Sequence, residues 1–250
     1  KNKYLITHND GGNKSKLFVL DTLGHLVKSI KLVDTKNKDW EDLTQDDKGN
    51  LYLGDFGNNY NTRKKCQIYI IKKGFIYKDE VEPEKISFWY EDQFSFPPKK
   101  ENLNFDCEAF FYKDGFLYLL TKCRTAPFTG MSNVYRIPAK KGKHKAKLMG
   151  QFQFCDIAWQ FCSVTAADYH KESNTLTILT YAKLYVVSNI KHNEFWNGDI
   201  KIYTIPKLKQ REAIAYASPN RWYMTDELKK GFGGGNLYTV ALKKKKKRID

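Results

Sequence analysis

The chain has 250 residues, 41% hydrophobic and 15% aromatic, enough for one substantial core and with no boundary between unrelated domains. Its formal net charge of +15 invites a nucleic-acid reading, but the Lys and Arg residues are scattered through turns and no nucleic-acid motif accompanies them. No apolar run is long enough to span a bilayer.

In chain order, the first segment predicts strands at 4–7, 17–20 and 26–32. They read as the second, third and fourth strands of a unit whose innermost strand lies upstream or is replaced by another segment. Because a strand begins almost at the first residue, a leader or linker is expected to be absent from this chain, and the protein is expected to be exported. The next unit has strands at 41–45, 51–54, 67–71 and 86–90, with Asp47-Lys48-Gly49-Asn50 as a tight turn. A third follows at 108–112, 116–121, 133–137 and 148–152, turning at Asp114-Gly115. A fourth has strands at 165–169, 175–180, 184–187 and 201–205, and a fifth at 212–217, 222–225 and 237–242.

The recurring feature is a strand, turn and strand with an acidic residue near its start: Glu41, Glu108, Asp168 and Glu212. An all-strand unit returning at roughly fifty residues is the signature of a β-propeller with four-stranded antiparallel blades. About five blades are expected over residues 1–242 as one domain. Six is the alternative, should 79–92 or 140–162 hide further strands. Residues 243–250 form a basic tail, Lys243 to Arg248 being an unbroken run of Lys and Arg; it reads as a solvated end in preference to a polyanion contact.

In a propeller the first strand of each blade lines the channel, so the recurring acids should gather at one mouth. The candidate ligand or metal residues there are Glu41, Asp42, Asp55, Asn58, Asn59, Glu108, Asp168 and Glu212. Carboxylates and amide carbonyls converging on one point suit a hard cation, which makes calcium the candidate cofactor. The competing structural reading is that the acids accept backbone N–H groups and pair with Lys122 and Arg211, fixing blade against blade. A catalytic alternative uses His8, Asp10, Glu41 and Glu108, with His8 as general base. No nucleophilic Ser or Cys is tied to His8 by a motif.

The long loops at 55–61, 122–132 and 226–236 should crowd the same mouth, with Asn59, Arg124, Phe128, Glu227 and Phe232 as the expected partner contacts. The five cysteines contain no C-x-x-C pair, which argues against structural zinc. Cys107 and Cys123 flank the Asp114-Gly115 turn, opposite or one place off register, and are the disulfide candidate. Two reduced, buried thiols are the competing expectation.

These landmarks resemble a family of uncharacterised exported bacterial β-propellers of Bacteroidetes type. The residues that carry the likeness are the loop at 8–13, Asp39-Trp40-Glu41-Asp42, the loop at 54–59, Asp106-Cys107-Glu108-Ala109, the segment 164–168 with 179–181, and Glu212-Ala213-Ile214. The resemblance implies the fold and a periplasmic or cell-surface location, and no activity. A looser similarity runs to phytase-like and gluconolactonase-like propellers. Two functions follow as expectations. The favoured one is a non-catalytic module, monomeric on its own, that docks its loop-rich face on a cell-envelope protein, a subunit closing or regulating an outer-membrane secretion or uptake complex. The alternative is a metal-assisted hydrolase of a phosphoester or lactone.

Overall fold

A computed structural model of the chain describes residues 4–228 and 234–242. Its strands run in order β1 (Leu5–His8), β2 (Lys16–Leu20) and β3 (Leu26–Leu32); then β4 (Trp40–Gln45), β5 (Leu51–Asp55), β6 (Cys66–Ile71), a short β7 (Glu80–Val81) and β8 (Glu84–Tyr90). They continue as β9 (Asp106–Lys113), β10 (Phe116–Lys122), β11 (Met131–Pro138) and β12 (Gly142–Gln153). One helical turn, α1 (Trp159–Cys162), precedes β13 (Val164–His170), β14 (Thr175–Thr180), β15 (Lys183–Ser188) and β16 (Asp199–Thr204). The last blade comprises β17 (Arg211–Ser218), β18 (Arg221–Asp226) and β19 (Leu237–Ala241).

Five antiparallel blades result, as the strand spacing predicts. The stretches 79–92 and 140–162 hold no sixth blade; they supply β7, β8 and β12. The outer strands β8 and β12 pair in parallel, welding the second and third blades into one eight-stranded sheet. In the first blade β7 adds in parallel beyond β3, so the blade reaches four strands at its outer edge, while β1 lies at the other edge with no strand beyond it among the described residues. Gly24, in the turn after β2, packs beside Leu237 of β19, which brings the first and last blades together.

The hairpins have local causes. Asp114 (φ 50°) and Gly115 (φ 82°) both take left-handed backbone, the geometry a two-residue turn needs to match strand twist. In the β4–β5 turn Asp46 accepts the amides of Lys48 and Asn50 at 2.9 and 2.8 Å. Consecutive residues of an inner strand face opposite neighbours, which distributes the core between blades. Phe110 packs with Phe56, Ile68 and Leu119 between the second and third blades. Phe111 packs with Tyr118, Ile178 and Phe195 between the third and fourth. Burial of wide aromatic side chains at roughly 25 cal/mol per Å² is the main driving term for such stacking.

Candidate functional site at the channel mouth

The four inner strands β4, β9, β13 and β17 share an irregularity that explains where their acids point. In β9 Cys107 pairs with Thr121 and Ala109 with Leu120, leaving Glu108 as an extra residue. The same break leaves Thr165 extra in β13 and Glu212 extra in β17, and one extra residue between Trp40 and Leu43 in β4. A bulge re-aims the side chain it carries. Glu41, Glu108, Thr165 and Glu212 are therefore structural equivalents, at the end where β5, β10, β14 and β18 run out into loops.

Asp168 does not belong to that set. It lies three residues beyond Thr165, level with Thr44 of β4, and its Oδ2 accepts the amide of Tyr216 at 2.7 Å. Thr44 Oγ1 accepts Tyr112 N at 3.1 Å in the equivalent contact two blade junctions earlier, between the second and third blades. Asp42 likewise stands inside the channel: its Oδ2 accepts Phe110 N at 3.0 Å and Ala167 N at 3.3 Å, so one carboxylate joins three blades. Burial raises the pKa of both acids, Asp168 to about 6, against the downward pull of these N–H donors. The structural reading holds for this pair.

It holds also for Asp55 and Asn58. Asp55 is fully buried and takes both guanidinium nitrogens of Arg63, at 3.3 and 3.2 Å, with Asp39 N at 3.2 Å. Asn58 donates its amide to Asp106 Oδ1 at 2.6 Å and its side chain to the Phe105 carbonyl at 3.0 Å. These bonds lock the β5–β6 loop onto the start of β9. Arg211 donates to the carbonyls of Tyr181, Pro206 and Lys207, not to an acid as expected.

Around the mouth itself the acids meet cations on one side and each other on the opposite side. Glu108 Oε1 lies 3.0 Å from Lys122 Nζ and 3.3 Å from Arg124, whose Nε is 2.7 Å from Asp106. Arg124 also donates to Asn59, an exposed residue. Burial works against the Lys122 ammonium, but Glu108 and the Tyr181 phenol 3.4 Å away hold its pKa above the lysine value. Burial raises Glu212 to about 7, with Lys122, Gln210 and Tyr181 pulling it back.

On the other side Asp10, Asp39 and Glu41 place carboxylate oxygens within 4.8 Å of one another. Burial pushes Glu41 well up, and Glu108, Asp106 and Asp39 push it further. Asp39 rises to about 6 for the same reasons, against the pull of Arg63. Among the described residues the Glu41 carboxylate has no hydrogen bond or ion pair. Gly57 closes over it, and a Cβ there would collide with the carboxylates of Glu41 and Asp39. Asp39 and Asp106 escaped the sequence reading as site residues, although each stands two before a recurring Glu. His8 packs edge-on against Trp40 at 5.8 Å and its Nδ1 bonds the Asn9 carbonyl; burial lowers its pKa, favouring the neutral ring.

The loop residues divide too. Asn59, Arg124 and Glu227 line a cavity of about 650 Å³ with Lys122, Trp159 and Tyr181. Phe128 instead packs against the core cluster of the third and fourth blades, so it is not a free contact residue. Phe232 and the 243–248 basic run lie outside the described residues. The cysteine pairing is corrected: Cys155 and Cys162 form a disulfide, and Cys107 and Cys123 are free and buried. The bulge at Glu108 puts Cys107 opposite Thr121, one place further from Cys123, whose sulfur bonds Thr125 and Thr129.

The fold and site together define a β-propeller with an acid-rich channel mouth. No protein-family model matches the sequence, and no curated protein is similar to it. Solved propellers do superpose on it. A putative 6-phosphogluconolactonase from Bacteroides uniformis aligns over 98% of this chain and 66% of its own, with TM-score 0.52 and 10% identity. The periplasmic gluconolactonase of Pseudomonas aeruginosa aligns over 96% and 68%, with TM-score 0.49 and 13% identity. The Dos1 propeller aligns over 89% and 49%, with TM-score 0.43 and 11% identity. The chain thus spans about half to two thirds of these neighbours' length, and at such identities the likeness shows the fold alone. No helix among the described residues is long and apolar enough to cross a membrane.

Proposed function

We propose that this propeller is a binding module that docks a partner protein of the cell envelope through its channel-mouth face. The observation that carries this reading is a set of seven exposed large apolar side chains gathered on one face, half of the fourteen among the described residues; the other seven are spread elsewhere, Leu23 and Tyr77 in turns and Ile200 and Ile202 in β16. Tyr60 lies in the β5–β6 loop, Phe94 in β8–β9, Ile157, Trp159 and Phe161 in β12–β13, Leu208 in β16–β17, and Leu228 in β18–β19. All of these loops open on the face where the inner strands begin. Apolar groups held in water by a rigid scaffold mark a recognition surface. The disulfide supports an oxidising, exported location. The test is co-purification from envelope membranes read by mass spectrometry, with Tyr60→Ser, Phe94→Ser and Trp159→Ser variants. A stoichiometric partner lost in these variants, at unchanged melting temperature, supports the module; retention in all three overturns it.

One observation favours a second reading, cation-assisted hydrolysis of a phosphoester or lactone. The clustered Asp10, Asp39 and Glu41 carboxylates repel one another, and a hard cation such as calcium would relieve that repulsion. The enzyme reading requires turnover by purified protein with millimolar calcium and its loss in Glu41→Gln. Absence of turnover, together with a melting temperature indifferent to calcium, eliminates it.

A further inference from the structure

We infer that a second cavity on the mouth face, over the outer strands of the third blade, is a binding site for a neutral carbohydrate. Phe94 is the platform for a sugar ring, and the side-chain amides of Asn102, Asn133 and Gln151 beside it read the hydroxyls. The site shares no lining residue with the cavity around Trp159 and uses none of the recurring channel acids.

The cavity measures about 770 Å³ and opens between the β8–β9 loop, the β10–β11 loop and the mouth ends of β11 and β12. That volume falls in the range of about 300–1,000 Å³ usual for small-molecule sites. A directed chain of hydrogen bonds builds its floor. Gln151 of β12 and Asn133 of β11 stand opposite one another in the ladder, and Gln151 Nε2 donates to Asn133 Oδ1 at 2.9 Å. Asn133 Nδ2 donates to the Tyr135 hydroxyl at 3.1 Å, and Tyr135, fully buried, donates in turn to Asp92 at 3.0 Å. Asn104 is fixed as firmly, accepting Thr121 Oγ1 at 2.9 Å and donating to the Met131 carbonyl at 3.2 Å. Above them the β8–β9 loop is pinned by Arg124 N and Ala126 N, which donate to the carbonyls of Leu103 and Lys100 at 2.9 and 3.1 Å. Groups held in place before a ligand arrives lose little entropy on binding.

What these groups still offer selects the ligand. A side-chain amide has two donors and two acceptor sites, of which Asn133 uses one of each and Gln151 a single donor. The side chains of Asn102 and Ser95 make no hydrogen bond among the described residues. Mixed donors and acceptors match hydroxyl groups, which are both at once. Charge points to the same class. On a chain of net charge +15 this wall carries one cation, Lys99, and two acids, Asp92 and Glu101, so it draws no anion. Of the three buried lining residues Asn104 and Asn133 are amides and Phe105 alone is apolar, while Phe94 stands 85% exposed at the rim. A peptide anchor site has the reverse order, an apolar side chain entering an apolar floor. A flat aromatic face in water instead takes the C–H face of a sugar ring, whose hydroxyl edge then meets the amides.

The test is an array of immobilised neutral and charged oligosaccharides probed with the purified protein, followed by calorimetric titration of the retained sugar. Neutral glycans should be retained, and sulfated or sialylated forms should bind no better. Phe94→Ala should weaken binding about tenfold and Gln151→Ala about fivefold, both at unchanged melting temperature because the two side chains are exposed. Trp159→Ala, in the other cavity, should bind as wild type does. Titration with soluble cellobiose, maltose and di-N-acetylchitobiose, set against pull-down on purified peptidoglycan sacculi, tells a free sugar from a cell-wall glycan; either supports the site. Retention of no glycan, preference for charged glycans, or binding indifferent to both Phe94→Ala and Gln151→Ala overturns the inference. Binding of displayed peptides that Gln151→Ala abolishes would assign the cavity to a protein partner and overturn it as well.

Discussion

Glu41 and Asp42 are adjacent in one inner strand, yet they lead opposite lives. Asp42 turns into the channel and meets the amides of Phe110 and Ala167, so its position is dictated by the backbone of two other blades. Glu41 sits on the bulge at the mouth, where its nearest charges are other carboxylates. The interior acid substitutes for the hydrogen bonds that inner strands of different blades cannot make with each other. The mouth acid makes no such contribution and leaves the folded state with unrelieved repulsion. Acidic residues in a repeated motif thus divide into stitches and site by the direction a bulge gives them.

The largest expected effect breaks a stitch. Asp42→Ala leaves two buried N–H groups without acceptors and should cost about 3 kcal/mol, whereas Asp42→Asn keeps an acceptor oxygen and should cost about 1 kcal/mol. Urea unfolding midpoints of the two variants check this; equal losses would show that the acceptor is not what matters.

The mouth acids resist ionisation, as the buried Asp42 and Asp168 also do. Asp39 and Glu212 are held in the fold at about 6 and about 7, above their ordinary values, so the native state binds their protons more tightly than the unfolded chain does. Their stabilising contribution is complete below about pH 4 and is lost as pH rises through those values. Stability measured by denaturant at a series of pH values should therefore decline from about pH 4 to about pH 7 in wild type. The decline should be shallower in Asp39→Asn up to about pH 6 and in Glu212→Gln up to about pH 7; variants as steep as wild type would contradict the assignment.

A smaller effect of the same origin is expected of Glu41→Gln. Removing one of the crowded charges should leave stability at neutral pH unchanged or raise it by about 1 kcal/mol, in contrast to Asp42→Ala. A loss as large as that of Asp42→Ala would mean that Glu41 is a stitch as well.

The last prediction leaves stability untouched. Thiol titration of denatured, unreduced protein should find the three free cysteines Cys66, Cys107 and Cys123, and all five after reduction. Recovery of five without reductant would rule out the Cys155–Cys162 bond.

Strand order, and blade number to within one, were legible from sequence because each unit announces itself by local chemistry: turns such as Asp114-Gly115, and short apolar, aromatic-rich strands such as 116–120. The gathering of Glu41, Glu108 and Glu212 followed from the repeat. Asp168 was misplaced because the repeats were aligned on acidic side chains, while the structural equivalence runs through Thr165, a residue without a charge to flag it. The Cys107–Cys123 pairing failed on the same kind of event, a one-residue bulge. Trp159 gave no signal of exposure, since an aromatic residue between two cysteines reads equally well as core.

What the sequence by itself determined is the all-strand propeller architecture of about five blades and the set of acids its inner strands carry, because turn residues and strand chemistry act over a few neighbours; that 79–92 and 140–162 add no sixth blade was decided by the structure. Which of those acids stitch blades and which face the mouth was decided only by the tertiary structure. A bulge is a mismatch between two paired strands, and a stitch is a carboxylate meeting an amide of another blade. Both depend on partners far away in the chain, as does the choice of Cys155 and Cys162 as the bonded pair.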